Sequence, residues 1–363
     1  MHMIQSNKHE NAFLELVRCG LWGTHPNPAF FKDLTQQDWL TIYNIAGKQT
    51  VIGICLTSVM DLPDNLKPPT QLVIQWIGLN RYIEANNKKK IQVWKELDTK
   101  LTALGFRPVI FKGLSVAKWY SHPLSRQFSD IDLYIPEKFD EVIQMLKASG
   151  VECDHKPQHD TIEYKGVSIE IHSQIINVPF KPNFTCSIIE DTINGDVPIR
   201  TPDVNTHSIL LLSHAADHFM IPGIGYRFLC DWAVFLKQNH NKINTALVLQ
   251  EADQMGMRHF VSEFTKLAEV QLGLRFEGLI RWTEGSNEKY LERLSAHLFD
   301  HGDFGAKNFQ KDLRKNTLTF GWNVTKNVCA CRYYWPKLFW KKAPIYLVKF
   351  NILTMMRRLN IPV

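Results

Sequence analysis

VIFKGLSVAKWYSHPLSRQFSDIDLYI, residues 109–135, is where the pattern of the chain changes. Before it the apolar residues recur at helical spacing. Inside it, Pro108–Phe111 is a short apolar run with the look of a strand. Gly113 follows, then a short helix over Leu114–Tyr120, then a second strand over Ile131–Ile135 that Pro136 ends. In a strand, alternate side chains share a face, so Asp130 and Asp132 project together while Ile131 enters the core. Two adjacent carboxylates repel unless a cation lies between them. Hard oxygen ligands of this kind suit Mg²⁺, which takes one or two protein carboxylates and completes its shell with phosphate oxygens. Taken alone, such a pair is common and reads first as a solvated strand end or a turn cap.

The surroundings favour chemistry. Lys112-Gly113-Leu114-Ser115 is a strand–glycine–helix junction, where a missing Cβ permits close backbone approach and free N–H groups suit phosphate. Arg126 and Ser129 place a guanidinium and a hydroxyl just before the carboxylates. Downstream, Thr161–Tyr164 and Val167–Ile171 pair across a turn at Lys165-Gly166. On the second of these strands Ser168, Glu170 and His172 share a face, so Glu170 supplies a third carboxylate and His172 stands ready to orient a ligand or touch substrate. Lys138–Ala148 is an amphipathic helix between the two halves, stopped at Gly150.

This run resembles the core of the DNA polymerase β-like nucleotidyltransferase superfamily. The K-G…R…S-D-I-D form is similar to bacterial nucleotidyltransferase family proteins and to the toxin nucleotidyltransferases of abortive-infection systems. SIEIHSQI looks like that family's acid-x-His strand, and HSILLLSHAADHF with RFLCDWAVFL resembles its helical region. Two departures stand out: Leu114 follows Gly113 where Gly or Ser is usual, and the glycine stands seventeen residues before Asp130. The resemblance implies an α+β fold, a small mixed-sheet polymerase β-like core flanked by helical regions. It implies transfer of a nucleoside monophosphate from an NTP, ATP among the candidates, to an acceptor hydroxyl, with pyrophosphate released. Two Mg²⁺ ions, or Mn²⁺ in their place, would be held by Asp130, Asp132 and Glu170. Gly113, Ser115 and Ser129 would line the phosphate path. Lys112 and Arg126 would neutralise phosphates or serve as structural ion-pair partners. The acceptor is a small molecule, RNA or protein. The alternatives are a non-catalytic nucleotide-binding scaffold on the same fold and a toxin-type enzyme acting on tRNA or protein.

Outward from the core, residues 1–105 read as helices. Asn11–Leu21 is periodic, Thr35 caps the next helix, and Pro68-Pro69 breaks the chain. Two helical runs, from Thr70 to about Asn86 and from Lys88 to Leu104, then lead to Gly105. Residues 106–201 form the core. Residues 202–306 are helical again, with Asp203 capping Val204–Met220 and a Pro222–Gly225 loop before Tyr226–Gln238. On these helices His214, Asp217 and His218 share a face. His-x₃-His is zinc-ligand spacing, but no Glu follows His214 as a metalloprotease helix requires. Cleft-facing hydrogen-bond donors or ordinary packed rings are the other readings. Arg227 and Asp231 have the spacing of a helix ion pair, with a place beside the cleft as the alternative.

Composition excludes other classes. The chain has 363 residues, 45% of them hydrophobic and 21% charged, which is neither disordered nor fibrous. It has no P-loop and no Gly-x-Ser-x-Gly elbow, so Walker-type NTPases and serine hydrolases lose support. The polar N-terminus and the lack of a long apolar run lead us to expect a cytoplasmic protein. Seven scattered cysteines read as reduced thiols, and Cys329-x-Cys331 alone is a weak zinc signal. Residues 307–363 carry twelve Lys/Arg against Asp312 alone, a charge of +11, which leaves residues 1–306 at −5. This tail interleaves Tyr333, Tyr334, Trp335, Phe339, Trp340, Tyr346 and Phe350 with cations. It reads as packed structure, or as a peripheral contact to anionic membrane or RNA.

Overall fold

Capping residues set the first helices. In the computed structural model, which describes residues 7–136, 138–155, 159–176, 186–193, 195, 197–220 and 223–302, Asn7 and Thr35 each close a capping box. They open α1 (Lys8–Trp22) and α2 (Gln36–Lys48), satisfying N–H groups that a helix start leaves bare. Next come α3 (Ile52–Asp61) and α4 (Thr70–Ala103). The two helical runs expected between Thr70 and Leu104 are one helix of 34 residues, about 50 Å long. Asn86 and Asn87 do not break it, because the buried Asn87 side chain turns inward to donate to two carbonyls of another segment. The basic tail, with Cys329 and Cys331, lies outside the described residues, as does Pro222.

The core then unfolds in chain order: β1 (Val109–Phe111), α5 (Gly113–Ala117), β2 (Ile131–Tyr134), α6 (Phe139–Ala148), β3 (Asp154–His155), β4 (His159–Tyr164) and β5 (Val167–His172). The sheet order is β1-β2-β5-β4-β3, with β2 and β5 parallel and the other pairs antiparallel. This mixed sheet between helical regions is the α+β architecture that the sequence implied. α5 is shorter than expected, ending at Ala117 rather than Tyr120. Lys165 and Gly166 both take positive φ, 53° and 69°, the primed turn whose twist matches a two-residue hairpin.

Sequence reading missed a second hairpin, β6 (Ile188–Ile193) and β7 (Val197–Pro202), which lies against β1. Trp94 Nε1 of α4 donates to Pro198 O, and Arg200 reaches Pro108 O and Asp98. Asp203 caps α7 (Val204–Met220) as expected, accepting from the N–H groups of Asn205 and Thr206. After it come α8 (Tyr226–Asn239), α9 (Thr245–Gln254), α10 (Arg258–Leu272), α11 (Ile280–Thr283) and α12 (Glu288–His301).

Two apolar cores divide this material. One joins α1–α3 to α7, α8, α10 and α12, so the helices on either side of the sheet region share a single interior. The other lies between the sheet and the second half of α4, from Val93 to Leu101. α4 belongs to both, since Leu72, Trp76 and Ile83 face the first. Of the described cysteines, Cys19, Cys55 and Cys230 are buried, and none of the five is disulfide-bonded. Among the described residues, no helix is long and apolar enough to cross a membrane.

Candidate active site

Parallel pairing of β2 with β5 puts Asp132 directly beside Glu170. Asp130, the residue just before β2, stands two positions ahead of Asp132 and continues its face, near enough for the charges of Asp132 and Glu170 to act on it. Ile131, Ile169 and Ile171 point the other way into the core and are at most 2% exposed, which fixes the register. The three acids predicted from sequence are therefore brought together.

Their electrostatics differ. Burial, followed by the charges of Asp132 and Glu170, pushes the Asp130 carboxyl up to about 6, with Ser129 Oγ donating to it at 2.9 Å. Burial works on Asp132 in the same direction, but Lys112 and His172 outweigh it and hold that carboxyl below the ordinary range. Lys112 Nζ donates to Asp132 Oδ1 at 2.7 Å, and His172 Nε2 lies 3.0 Å from the same oxygen. Glu170 is likewise held low: burial opposes its charge, while His159, His172 and Lys112 favour it. The Lys112 ammonium is kept charged in return, burial being overcome by Asp132.

Lys112 has φ 58° and ψ −127°, a backbone shape that a side chain with a Cβ enters at a cost of roughly 1–3 kcal/mol. The strain sits where its ammonium meets Asp132. Gly113 follows; a Cβ there would lie 3.0 Å from Phe128 Cβ and 3.4 Å from Arg126 Nη1. The glycine thus lets the segment before the carboxylates close over α5.

That segment is strapped by two helices, α4 and the later helix α8. Asn87 donates to the carbonyls of Leu124 and Arg126, and Lys90 Nζ to that of Phe128 at 2.7 Å. Ser125 Oγ donates to Glu84. Arg126, 2% exposed, meets the Asp231 carboxylate of α8 with Nε–Oδ1 2.9 Å and Nη2–Oδ2 2.5 Å. Tyr120 Oη adds a third bond at 2.7 Å, and Arg227 lies 3.7 Å away. Of the two roles foreseen for Arg126, the geometry gives it the ion-pair role: a buried, bidentate guanidinium is not presented to a phosphate. Asp231 anchors it, and Arg227 is its helix neighbour. Sequence reasoning missed Asn87 and Lys90; their signal was their place on the Ile83–Trp94 face of α4, polar groups inside an apolar stripe.

Ser115 is fully buried, its hydroxyl donating to Lys112 O and lying 3.3 Å from His207 Nε2, so its side chain serves α5 rather than an open phosphate path. Ser129 is exposed at the mouth. A cleft of about 300 Å³ opens beside it, lined among others by Tyr82, Asn86, Lys89, Lys90 and Ser168. His214 and His218 stand edge to face at 4.6 Å, both against the Phe228 ring. Burial first, then His218, Lys112, Arg227 and His172, hold the His214 ring well below the ordinary imidazole range. Among the described residues, no third His, Cys, Asp or Glu joins the pair as a ligand, so the zinc reading of that spacing finds no site.

The grouping that does form is His159, Glu170 and His172, whose ligand atoms lie within 4.8 Å of one another. His159 was not foreseen, because the strand was expected to begin at Thr161. The turn at Lys165-Gly166 already carried the signal: counting back from it sets His159 across from His172.

Residues 35–273 match the model of a family described as uncharacterised nucleotidyltransferase. No curated protein matches the chain. Two solved structures are similar. One is the solution structure of the antibiotic-resistance factor ANT(2'')-Ia, at 11% identity and TM-score 0.35, covering 50% of this chain and 97% of that one. The other is an antigenic nucleotidyltransferase-like protein from Paracoccidioides brasiliensis, at 16% identity and TM-score 0.33, covering 51% and 93%. The family match spans well over half of the chain: this protein belongs to the uncharacterised nucleotidyltransferase family.

Proposed function

We propose that the protein is a metal-dependent nucleotidyltransferase that moves a nucleoside monophosphate from an NTP to an acceptor hydroxyl and releases pyrophosphate. The observation that carries this reading is the in-register meeting of Asp132 and Glu170 on parallel strands, with Asp130 on the same face. A purely structural sheet has no reason to gather three carboxylates where each disfavours the others' charge.

The donor set fits a divalent cation. Asp130 is pushed up to about 6 by burial and its two acidic neighbours, the mark of surplus negative charge in an enclosed place. Asp130, Asp132 and Glu170 would hold the metal. When bound, it neutralises triphosphate charge and makes the acceptor hydroxyl easier to deprotonate. Glu170, kept ionised between two imidazoles, carries no proton of its own, and we assign it to receive the one that the hydroxyl gives up. Lys112, held beside Asp132 by a strained backbone, offers its ammonium to phosphate oxygens. The straps from Asn87, Lys90 and Asp231 fix the 124–128 segment so that Asp130 does not retreat from its neighbours. The cleft beside Ser129 supplies an aromatic ring, amides and ammonium groups to the rest of the substrate.

Incubating the purified protein and cell extract with each α-labelled NTP tests this, with Mg²⁺ or Mn²⁺ present. Label transferred to RNA, protein or a small molecule, with pyrophosphate formed, names the acceptor class. No transfer and no pyrophosphate with any NTP would refute the reading. Truncation before Cys329 tests the basic tail: loss of vesicle or RNA binding that weakens steeply with salt marks an anionic partner, and loss of solubility without it argues against one.

A further inference from the structure

We propose that the carboxylate cluster extends into a two-histidine site, His159, Glu170 and His172, which selects a borderline transition-metal dication such as Mn²⁺, Co²⁺ or Zn²⁺ over Mg²⁺. The inference rests on the reading above for the role of the metal, and goes beyond it in saying which metals the protein prefers and why.

Register builds the site. His159 faces His172 across the β4–β5 ladder, and Glu170 lies two residues before His172 on the same side. The three ligand atoms lie within 4.8 Å of one another, and the pairs about Glu170 stand near coordination-shell spacing. His159 Nε2 lies 3.2 Å from Glu170 Oε1, and His172 Nε2 lies 3.5 Å from Glu170 Oε2 and 3.0 Å from Asp132 Oδ1. Ligands about 2.1 Å from one metal stand roughly 3.0–3.4 Å from each other.

Ordinary hydrogen bonding accounts for only one of the four ring nitrogens, His172 Nε2 beside Asp132 Oδ1. Among the described residues, neither ring nitrogen of His159 has an aligned hydrogen-bond partner, and Nδ1 of the buried His172 has none. Buried polar atoms are seldom left so. A histidine kept only to pair with Glu170 would align its N–H with the carboxylate, whereas at 3.2 Å His159 does not. His172 is oriented from both sides, by the Phe111 ring edge-on at 4.9 Å and by the Asp132 oxygen. A cation on Nε2 would replace the proton shared there.

Imidazole is the discriminating ligand. Mg²⁺ prefers oxygen and keeps much of its water, while nitrogen donors raise affinity along the first-row series. A mixed shell of two nitrogens and carboxylate oxygens therefore favours Mn²⁺ and its heavier neighbours.

The test uses the metal-free full chain. Mn²⁺ is titrated by the loss of its free electron-spin signal, with Mg²⁺ as competitor, and nitrogen couplings of bound Mn²⁺ are read by pulsed resonance. The expected result is imidazole-nitrogen coupling, Mn²⁺ binding that Mg²⁺ displaces poorly, and an affinity for Mn²⁺ that falls at least about 10–100-fold in His159→Ala, the loss that even an outer partner of a metal causes. Mg²⁺ affinity should be untouched by that change. Bound Mn²⁺ without nitrogen coupling, or Mg²⁺ competing as an equal, overturns the proposal. Should His159→Ala fail to fold, the coupling in the unaltered protein decides alone. Nitrogen-coupled Mn²⁺ without nucleotidyl transfer would sink the function and leave this inference; transfer with Mg²⁺ and no coupling would do the reverse.

Discussion

Replacing Asp130 by Asn should stabilise the metal-free protein, while the same change at Asp132, two residues away, should destabilise it. In the folded chain the Asp130 carboxyl is raised from 3.8 to about 6, by burial and then by Asp132 and Glu170. At 1.36 kcal/mol per unit this sets a ceiling of roughly 3 kcal/mol, and about 1–2 is the working expectation once water relaxes around the site. The sign follows from proton counting. Between pH 3.8 and about 6 the folded state holds the Asp130 proton and the unfolded state has released it, so stability falls as pH rises through that window. Above it the penalty is complete; below it the penalty vanishes. Asp132 works the other way: burial opposes its charge, but Lys112 and His172 hold its carboxyl below the usual range. Its neutralisation takes from the Lys112 ammonium, whose side chain is 14% exposed, the carboxylate to which it donates. Breaking one side of such a pair costs about 3–5 kcal/mol. Urea unfolding with chelator present, followed by the fluorescence of buried Trp76, Trp94, Trp232 and Trp282, reads both. The gap between Asp130→Asn and the unaltered chain should open as pH rises from about 4 and level off above about 7. A destabilised Asp130→Asn at pH 8, or a gap that ignores pH, would refute the account of the cluster.

Other perturbations separate machinery from scaffold. Asp231→Ala should cost about 3–5 kcal/mol in urea unfolding, because it leaves Arg126 buried and unpaired; a cost under about 1 kcal/mol would mean that the guanidinium finds water. Glu170→Gln should lower kcat about 10²–10⁴-fold with little change in NTP binding, and equal turnover would remove Glu170 from proton transfer. In Gly20→Ala a Cβ would stand 2.0 Å from Ile54 O of α3, so the α1–α3 crossing must open; a drop of about 1–3 kcal/mol is expected, and an unchanged melting temperature would contradict that packing.

Much of the core was legible because its signals are local. The apolar run at Val109–Phe111, the alternation around Ile131 and the turn at Lys165-Gly166 each act within a few residues, and each forms where its pattern lies. What escaped notice depends on partners far along the chain. Arg126 carries the same charge whether it meets a phosphate or Asp231, and only the packing of α8 against the 124–128 segment decides. The β6–β7 hairpin carries Glu190, Asp191, Pro198 and Pro202, which mute a strand signal; it exists because β1 and Trp94 offer it an apolar flank. His159 lay two residues before the expected strand start.

These distant partners also explain why the helices surround a small sheet. Asp130, Asp132 and Glu170 raise one another's energy, and a short strand of four residues could relieve that by fraying. The constraint comes from outside the sheet. α4 holds the carbonyls of Leu124, Arg126 and Phe128, and α8 holds the Arg126 side chain. Both helices are anchored in the large apolar core that unites the two ends of the described chain. The repulsion that a metal would relieve is thus stored against the helical body, and residues such as Asn87 and Asp231 set the geometry of the cluster without touching it.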